Sequence, residues 1–248
     1  MKKRKYTWIP DLPDHRDYKY STLIKASLAL PSSTDLRSDC SPIEDQGNLG
    51  SCTANALAGL LEYNEIIDKQ NFVDLSRLFI YYNERLIEHT VRYDSGATLR
   101  DGIKSLVTYG ACSESQWPYI ISRFTSKPTK TCYRNALDHR ISNYYRLDTL
   151  DEMRHALANK NPFVFGFMVY ESFESPTVDE TGKIPMPSTT EKALGGHAMC
   201  AVGYNDTDKR FLIRNSWGTD WGMNGYGTMP YEYLTNRNLS DDFWTVIL

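Results

Sequence analysis

Cys52, His197, Asn215 and Gln46 are the residues of this 248-residue chain whose types and settings suit nucleophilic acyl chemistry. Cys52 lies in "EDQGNLGSCTANALAG", residues 44–59, where a glycine-rich turn gives way to what reads as a helix. The thiolate is the attacking species. A working cysteine therefore needs a lowered pKa, an imidazole to exchange the proton with, and donors in place for the oxyanion. A helix starting near residue 52 puts the sulfur at the positive end of the helix dipole, beside unpaired backbone amides. Gly47 and Gly50 let the loop turn sharply and leave the sulfur accessible. Gln46 can aim its side-chain NH2 at the same point, forming a two-donor oxyanion hole with the Cys52 N–H. On this stretch alone a buried thiol packed at a helix start fits as well, because free cysteine is among the most buried residue types.

His197 stands apart from His15, His89, His139 and His155, which lie among polar residues and read as surface histidines. It follows two glycines in "LGGHAMCAVGYN" and opens an apolar run, a setting that suits a strand mouth at a cleft. A catalytic imidazole also needs a partner for its second nitrogen. Asn215, which begins "NSWGTDWGMNGYG", offers a carbonyl oxygen without a full charge, and Trp217 is placed to cover that hydrogen bond from water. Each element also has a plain structural reading, a satisfied core histidine and a strand–turn–strand.

Together they do not stay ambiguous. "QGNLGSC", "GGHAMCAVGY" and "NSWGTDWGMNGYG" resemble, in order, the cysteine, histidine and asparagine blocks of the papain-like cysteine peptidases. That family places His and Asn about 130–150 residues after the cysteine; His197 falls within this interval and Asn215 slightly beyond it. "DLSRLFIYYNER", "YGACSESQWPY" and "LPSSTDLRS" are similar to further family segments, so the resemblance covers residues 31–248. It implies Cys52 as nucleophile, His197 as base and acid, Asn215 as its orienter and Gln46 as oxyanion donor. The implied reaction is peptide-bond hydrolysis through a thioacyl intermediate, starting from a thiolate–imidazolium pair. The competing readings are another Cys–His acyl-transfer enzyme (transglutaminase-like or an amidase) and a non-catalytic papain-like binding protein.

The elements that must position these groups are legible as patterns. Leu57, Leu60, Leu61 and Ile67 recur at helical period after Cys52, and further helices are expected over 76–89, 98–109 and 150–159, the last opened by a Thr149–Glu152 capping box. Beyond residue 160 the texture changes to short aromatic and β-branched runs such as "PFVFGFMVY" and "DFWTVIL", which read as strands. Helices segregated from strands predict an α+β fold. By the resemblance this is the two-lobe papain-like fold, with a helical left lobe, a β-rich right lobe and the active-site cleft between them. Residues 1–30 form an N-terminal extension, either a short pro-segment over the cleft or a structural arm, and 31–248 form the peptidase domain.

Composition is that of an ordinary soluble domain, 41% hydrophobic and 24% charged, and a net charge of −3 gives no field for nucleic acid. "MKKRK" is followed by polar, proline-rich sequence, so neither a signal peptide nor a membrane span is expected. The location is expected to be cytoplasmic by default, with export by a leaderless route as the alternative. The odd set Cys40, Cys52, Cys112, Cys132 and Cys200 reads as free thiols. No zinc-type spacing occurs, so no metal and no other cofactor is expected. The partner is a peptide or protein substrate and the enzyme a monomer.

Departures from the family sharpen the reading. Leu49 replaces the cysteine usual three residues before the nucleophile, Thr53 replaces an aromatic after it, and Gly196 stands where Asp or Asn often precedes the histidine. Gly96 in "YDSGATLRDG" is the candidate for backbone contact with substrate. Asp241 is expected at the base of the pocket for the side chain two residues before the scissile bond, with Ala198 on its wall and Trp217 lining the cleft.

Overall fold

The computed structural model describes residues 4–24, 29–69 and 72–248. Part of the apolar patch "LIKASLALP" lies outside the described residues. Helix α1 (Cys52–Lys69) follows the expected stripe, with Leu57, Leu60 and Leu61 buried. Helices α2 (Arg77–Ile87) and α3 (Leu99–Thr108) pack against it, capped by Ser76 and Thr98, whose hydroxyls accept from Phe79 N and Asp101 N. The short helix α4 (Lys130–Ala136) is not marked by apolar periodicity in the sequence. Helix α5 (Leu150–Ala158) begins at the expected cap, Thr149 accepting from Glu152 N, while the Glu152 carboxylate reaches back to Asp148 N.

The strand-rich half is an antiparallel sheet. Strands β2 (Asn143–Arg146), β7 (Ser240–Ile247), β3 (Phe163–Tyr170), β4 (Ala193–Asn205), β5 (Arg210–Arg214) and β6 (Tyr226–Pro230) lie side by side in that order, and β1 (Ser33–Asp35) pairs with β4. Two short helices, α6 (Pro176–Thr181) and α7 (Tyr231–Thr235), flank it. Strands β1, β2 and β6 escape the sequence reading because they are short, polar or glycine-bearing. Strand β4 is buried along most of its length, since α1 packs against it.

One buried side chain ties the halves together. Arg214, at the end of β5, donates to Ser41 O (2.5 Å), Pro42 O (2.6 Å) and Ser41 Oγ (3.1 Å). It passes beneath Gly59 of α1, where a side-chain carbon would sit 2.9 Å from its Nε. Glu62, one turn further along α1, accepts from Ser41 Oγ and from Leu75 N, and burial pushes its carboxyl up to about 7. The helix start is thereby locked in register against β4 and β5. Replacing Arg214 by Met strands these buried acceptors and is expected to lower unfolding free energy by about 3 kcal/mol. Urea denaturation followed by tryptophan fluorescence measures it.

Candidate active site

Cys52 is the first residue of α1 and is fully buried. Its loop is built from hydrogen bonds: Gln46 Nε2 donates to Leu49 O (3.0 Å), Gly50 N to Asp94 Oδ1 (2.9 Å) and Tyr119 OH to Gln46 O (3.0 Å). Leu49, buried here, thus occupies a loop held by packing and donors rather than by a disulfide, and all five cysteines are free thiols. Thr53 has its own partner, donating to Oε1 of the buried Glu84 at 2.7 Å. Burial holds the Glu84 carboxyl, which lies behind the thiol, well above its usual range. The sequence reading missed this carboxyl; a lone Glu within an apolar helix stripe was the available signal.

Gln46 is fixed on three sides: its N donates to Ser216 O (2.9 Å), its Oε1 accepts from Ser216 Oγ (2.6 Å), and one hydrogen of Nε2 is held by Leu49 O. The second Nε2 hydrogen remains for a ligand. His197 lies on β4, and its Nε2 is 2.9 Å from Asn215 Oδ1. Ser216 N donates to the same oxygen at 2.8 Å, which identifies it as the carbonyl. Nε2 therefore carries the proton, and Nδ1 keeps its lone pair, buried and without a hydrogen-bond partner among the described residues. Trp217 stacks on the imidazole, with centroids 4.9 Å apart and planes 23° from parallel. The thiol lies against the backbone of Ala198, the residue beside His197, and of Thr53.

The N-terminal arm crosses this site. Arg4 stacks on the outer side of Trp217, and Tyr6 packs edgewise on both His197 and Trp217. Thr7 lies against the Cys52 thiol and donates to Gly50 O at 2.9 Å. Trp8 N donates to Gly196 O (2.9 Å), and its indole fills a slot where a side-chain carbon on Gly166 would come within 1.8 Å. Ile9 N donates to Ala97 O (3.2 Å). Gly96, with φ at 72°, makes room for this: a side-chain carbon there would lie 1.9 Å from Thr7 O. The backbone hydrogen bond expected near Gly96 is made by its neighbour Ala97. Ala198 sits directly across from Gly166 on the same sheet face, beside the Trp8 slot.

Three groups have surroundings other than those expected. Asp241 does not stand free at a pocket base, because Arg146 (2.6 Å) and Arg237 (3.0 Å) engage it. The acid facing the arm is its neighbour Asp242, whose Oδ2 accepts from Asp11 N at 2.8 Å. With the arm seated, burial works against the expected thiolate–imidazolium pair. Burial pushes the Cys52 thiol up to about 11; burial and then the Arg4 charge push His197 down to about 4. His139 is also not a free surface group, since its ring pairs with the buried Glu65 at 2.7 Å.

Residues 30–242 match the model of the papain family of cysteine proteases. The chain belongs to that family. This papain-family protein is 46% identical over 212 residues to an uncharacterised peptidase C1-like protein of Acanthamoeba polyphaga mimivirus, covering 82% of this chain and 68% of that protein. It is 33% identical to the thiol protease aleurain of Arabidopsis thaliana, spanning 81% of this chain and 56% of aleurain. Among solved structures it is similar to xylellain, a cysteine protease from Xylella fastidiosa, at 42% identity and a TM-score of 0.90. That match covers 100% of this chain and 98% of the other. The family is thus a cysteine peptidase family, and its two-lobe fold is the one described above. Among the described residues no helix is long and apolar enough to cross a membrane.

A raised thiol pKa means a protonated, sluggish sulfur below it. With the arm in place, Cys52 is expected to react slowly with iodoacetamide at pH 7 and progressively faster as pH climbs toward 11. Mass spectrometry of the Cys52 peptide reads the rate; fast alkylation at pH 6 would show the ion pair formed beneath the arm.

Proposed function

We propose that this cysteine peptidase works through Cys52 as nucleophile, His197 as proton carrier and Asn215 as the group orienting His197. Gln46 Nε2 and the Cys52 N–H together form the oxyanion hole. The observation that carries the reading is the His197–Asn215 hydrogen bond under Trp217, which fixes the tautomer and leaves the basic Nδ1 for the thiol. Proton transfer from Cys52 to Nδ1 gives the attacking thiolate. The tetrahedral oxyanion forms at the α1 N-terminus, and the imidazolium protonates the departing amine. Water deprotonated by His197 then releases the acid. All four groups come from one chain, so a monomer suffices. Ala97 O, Ala198 and Trp217 are the substrate contacts, with Gly96 giving them clearance. His197→Ala is expected to lower kcat/KM by at least about 10³-fold, and Gln46→Ala by about 10²-fold. A fluorogenic peptide assay checks both; retained activity in His197→Ala overturns the assignment.

The arm is the second part of the reading: residues 4–24 keep the enzyme latent. The amine half of a substrate must lie on the side of His197, which protonates it. The arm instead places its earlier residues, Arg4 and Tyr6, on that side and its later ones, Trp8 and Ile9, on the far side. It therefore runs opposite to a cleavable peptide and plugs the cleft without being turned over. Trp8→Ala, which empties the Gly166 slot, is expected to raise peptidase activity of the full-length chain about tenfold or more, since it removes the burial of one large aromatic. An unchanged rate would make the arm purely structural.

Asp11 and Asp242 form a buried carboxyl pair where the arm leaves the cleft, bordered by Arg100, Arg146 and Asp241. Burial and the Asp11 charge push Asp242 up to about 8 when the arm is docked. A group whose pKa is raised on docking takes up a proton, so docking is firm at low pH and weakens as pH rises through about 8. The activity of the chain with its arm, divided by that of Trp8→Ala, is expected to climb as pH rises from the ordinary carboxylate range to about 8 and to level off above it. Asp242→Asn, compatible with the φ of 57° there, should flatten that climb.

A further inference from the structure

The cavity beside Trp217 is about 380 Å³ and is lined by Arg4, Glu174, Asp179, Asp220 and Trp221. It is more than a patch of acids, because it already holds a cation of known chemistry. The Arg4 guanidinium lies 3.8 Å from the Trp217 ring centroid, 3.0 Å from Asp179 Oδ1 and 4.0 Å from Glu174 Oε2. Tyr6 OH of the same arm also binds Glu174. Trp221, 1% exposed, contributes a buried Nε1 with no partner among the described residues. A planar, delocalised cation between an indole face and two carboxylates is the arrangement that selects arginine over neutral side chains.

If the arm withdraws, Glu174 and Asp179 lose that cation. Glu174, three-quarters buried, is then left beside an empty aromatic face. The cavity adjoins the ring that stacks on His197, so it borders the half of the cleft where the departing amine must lie. Building on the peptidase reading, we infer that this cage is a substrate subsite for an arginine or lysine within the first two residues after the scissile bond. Arg4 occupies it in the latent chain. The inference concerns the leaving-group side and is independent of the Trp8 slot, which lies on the acyl side.

Two measurements test it, on the full-length chain. The first uses the Trp8→Ala, Arg4→Ala variant and quenched fluorogenic peptides that differ only in the first or second residue after the cut: Arg, Lys, norleucine or Glu. Arg and Lys are expected to exceed norleucine by about tenfold in kcat/KM. Glu should fall below norleucine, and 0.5 M salt should shrink the spread about two- to threefold. Adding Glu174→Gln and Asp179→Asn should bring the Arg-to-norleucine ratio to within about twofold of unity. An equal rate for Arg and norleucine peptides, or a ratio untouched by the carboxylate substitutions, overturns the subsite and leaves Arg4 as an arm clamp only. The second measurement needs no turnover. Arginine amide titrated into the Cys52→Ala, Arg4→Ala chain should quench tryptophan fluorescence saturably, norleucine amide should not, and the carboxylate substitutions should abolish the quench. Absence of saturable quenching overturns the inference even if no peptide is cleaved. Quenching without cleavage supports the cage and places the failure in the peptidase reading.

Discussion

The register between the start of α1 and strand β4 governs everything this molecule can do. The thiol is carried by one half and the imidazole by the other. Acyl chemistry between them tolerates little displacement, because near-attack geometry is lost within about an ångström. That register is set by a buried arginine. Arg214 leaves the sheet, passes under Gly59 and ends on the carbonyls of Ser41 and Pro42. Its five donors and fixed planarity allow it to satisfy several acceptors at once, which a lysine could not do in the same space. The loop ahead of α1 then needs no covalent tie. Gln46, Asp94, Tyr119 and Ser216 hold it through hydrogen bonds to its own backbone and side chains.

The same burial that makes the site precise also makes it controllable. A thiol and an imidazole form an ion pair only if the surroundings tolerate two charges. The arm removes the surrounding water and adds a guanidinium near the ring, and both effects favour the neutral pair. Occlusion and desolvation come together here, through the few arm residues that lie on Cys52, His197 and Trp217. The glycines at 96 and 166 are the counterpart of this economy on the receiving surface, because any side chain there would collide with Thr7 or Trp8.

Much of the fold was legible because local rules and tertiary context agree. The helices over Cys52–Lys69, Arg77–Ile87 and Leu99–Thr108 carry clean apolar stripes and side-chain caps, and the long strands carry aromatic and β-branched runs. Strands β1, β2 and β6 were not legible. They are short, and they are strands only because a longer neighbour supplies the hydrogen bonds. Helix α4 likewise owes its place to Thr129 capping and to packing, since seven residues cannot propagate a helix alone.

The sequence by itself singled out the candidate site residues, because nucleophile, imidazole, orienter and oxyanion donor each require a specific side chain in a specific local backbone. It also determined that the chain splits into helical and strand-rich parts, because the hydrophobic period changes. Only the tertiary structure decided which acid faces the arm. Asp241 and Asp242 are neighbours in sequence but point to different partners, and Asp241 is engaged by Arg146, distant along the chain, and by Arg237, four residues away. The direction in which burial pulls the Cys–His pair was likewise decided there. A pKa answers to burial and to charges in space, and neither is written in the order of the residues around Cys52 and His197.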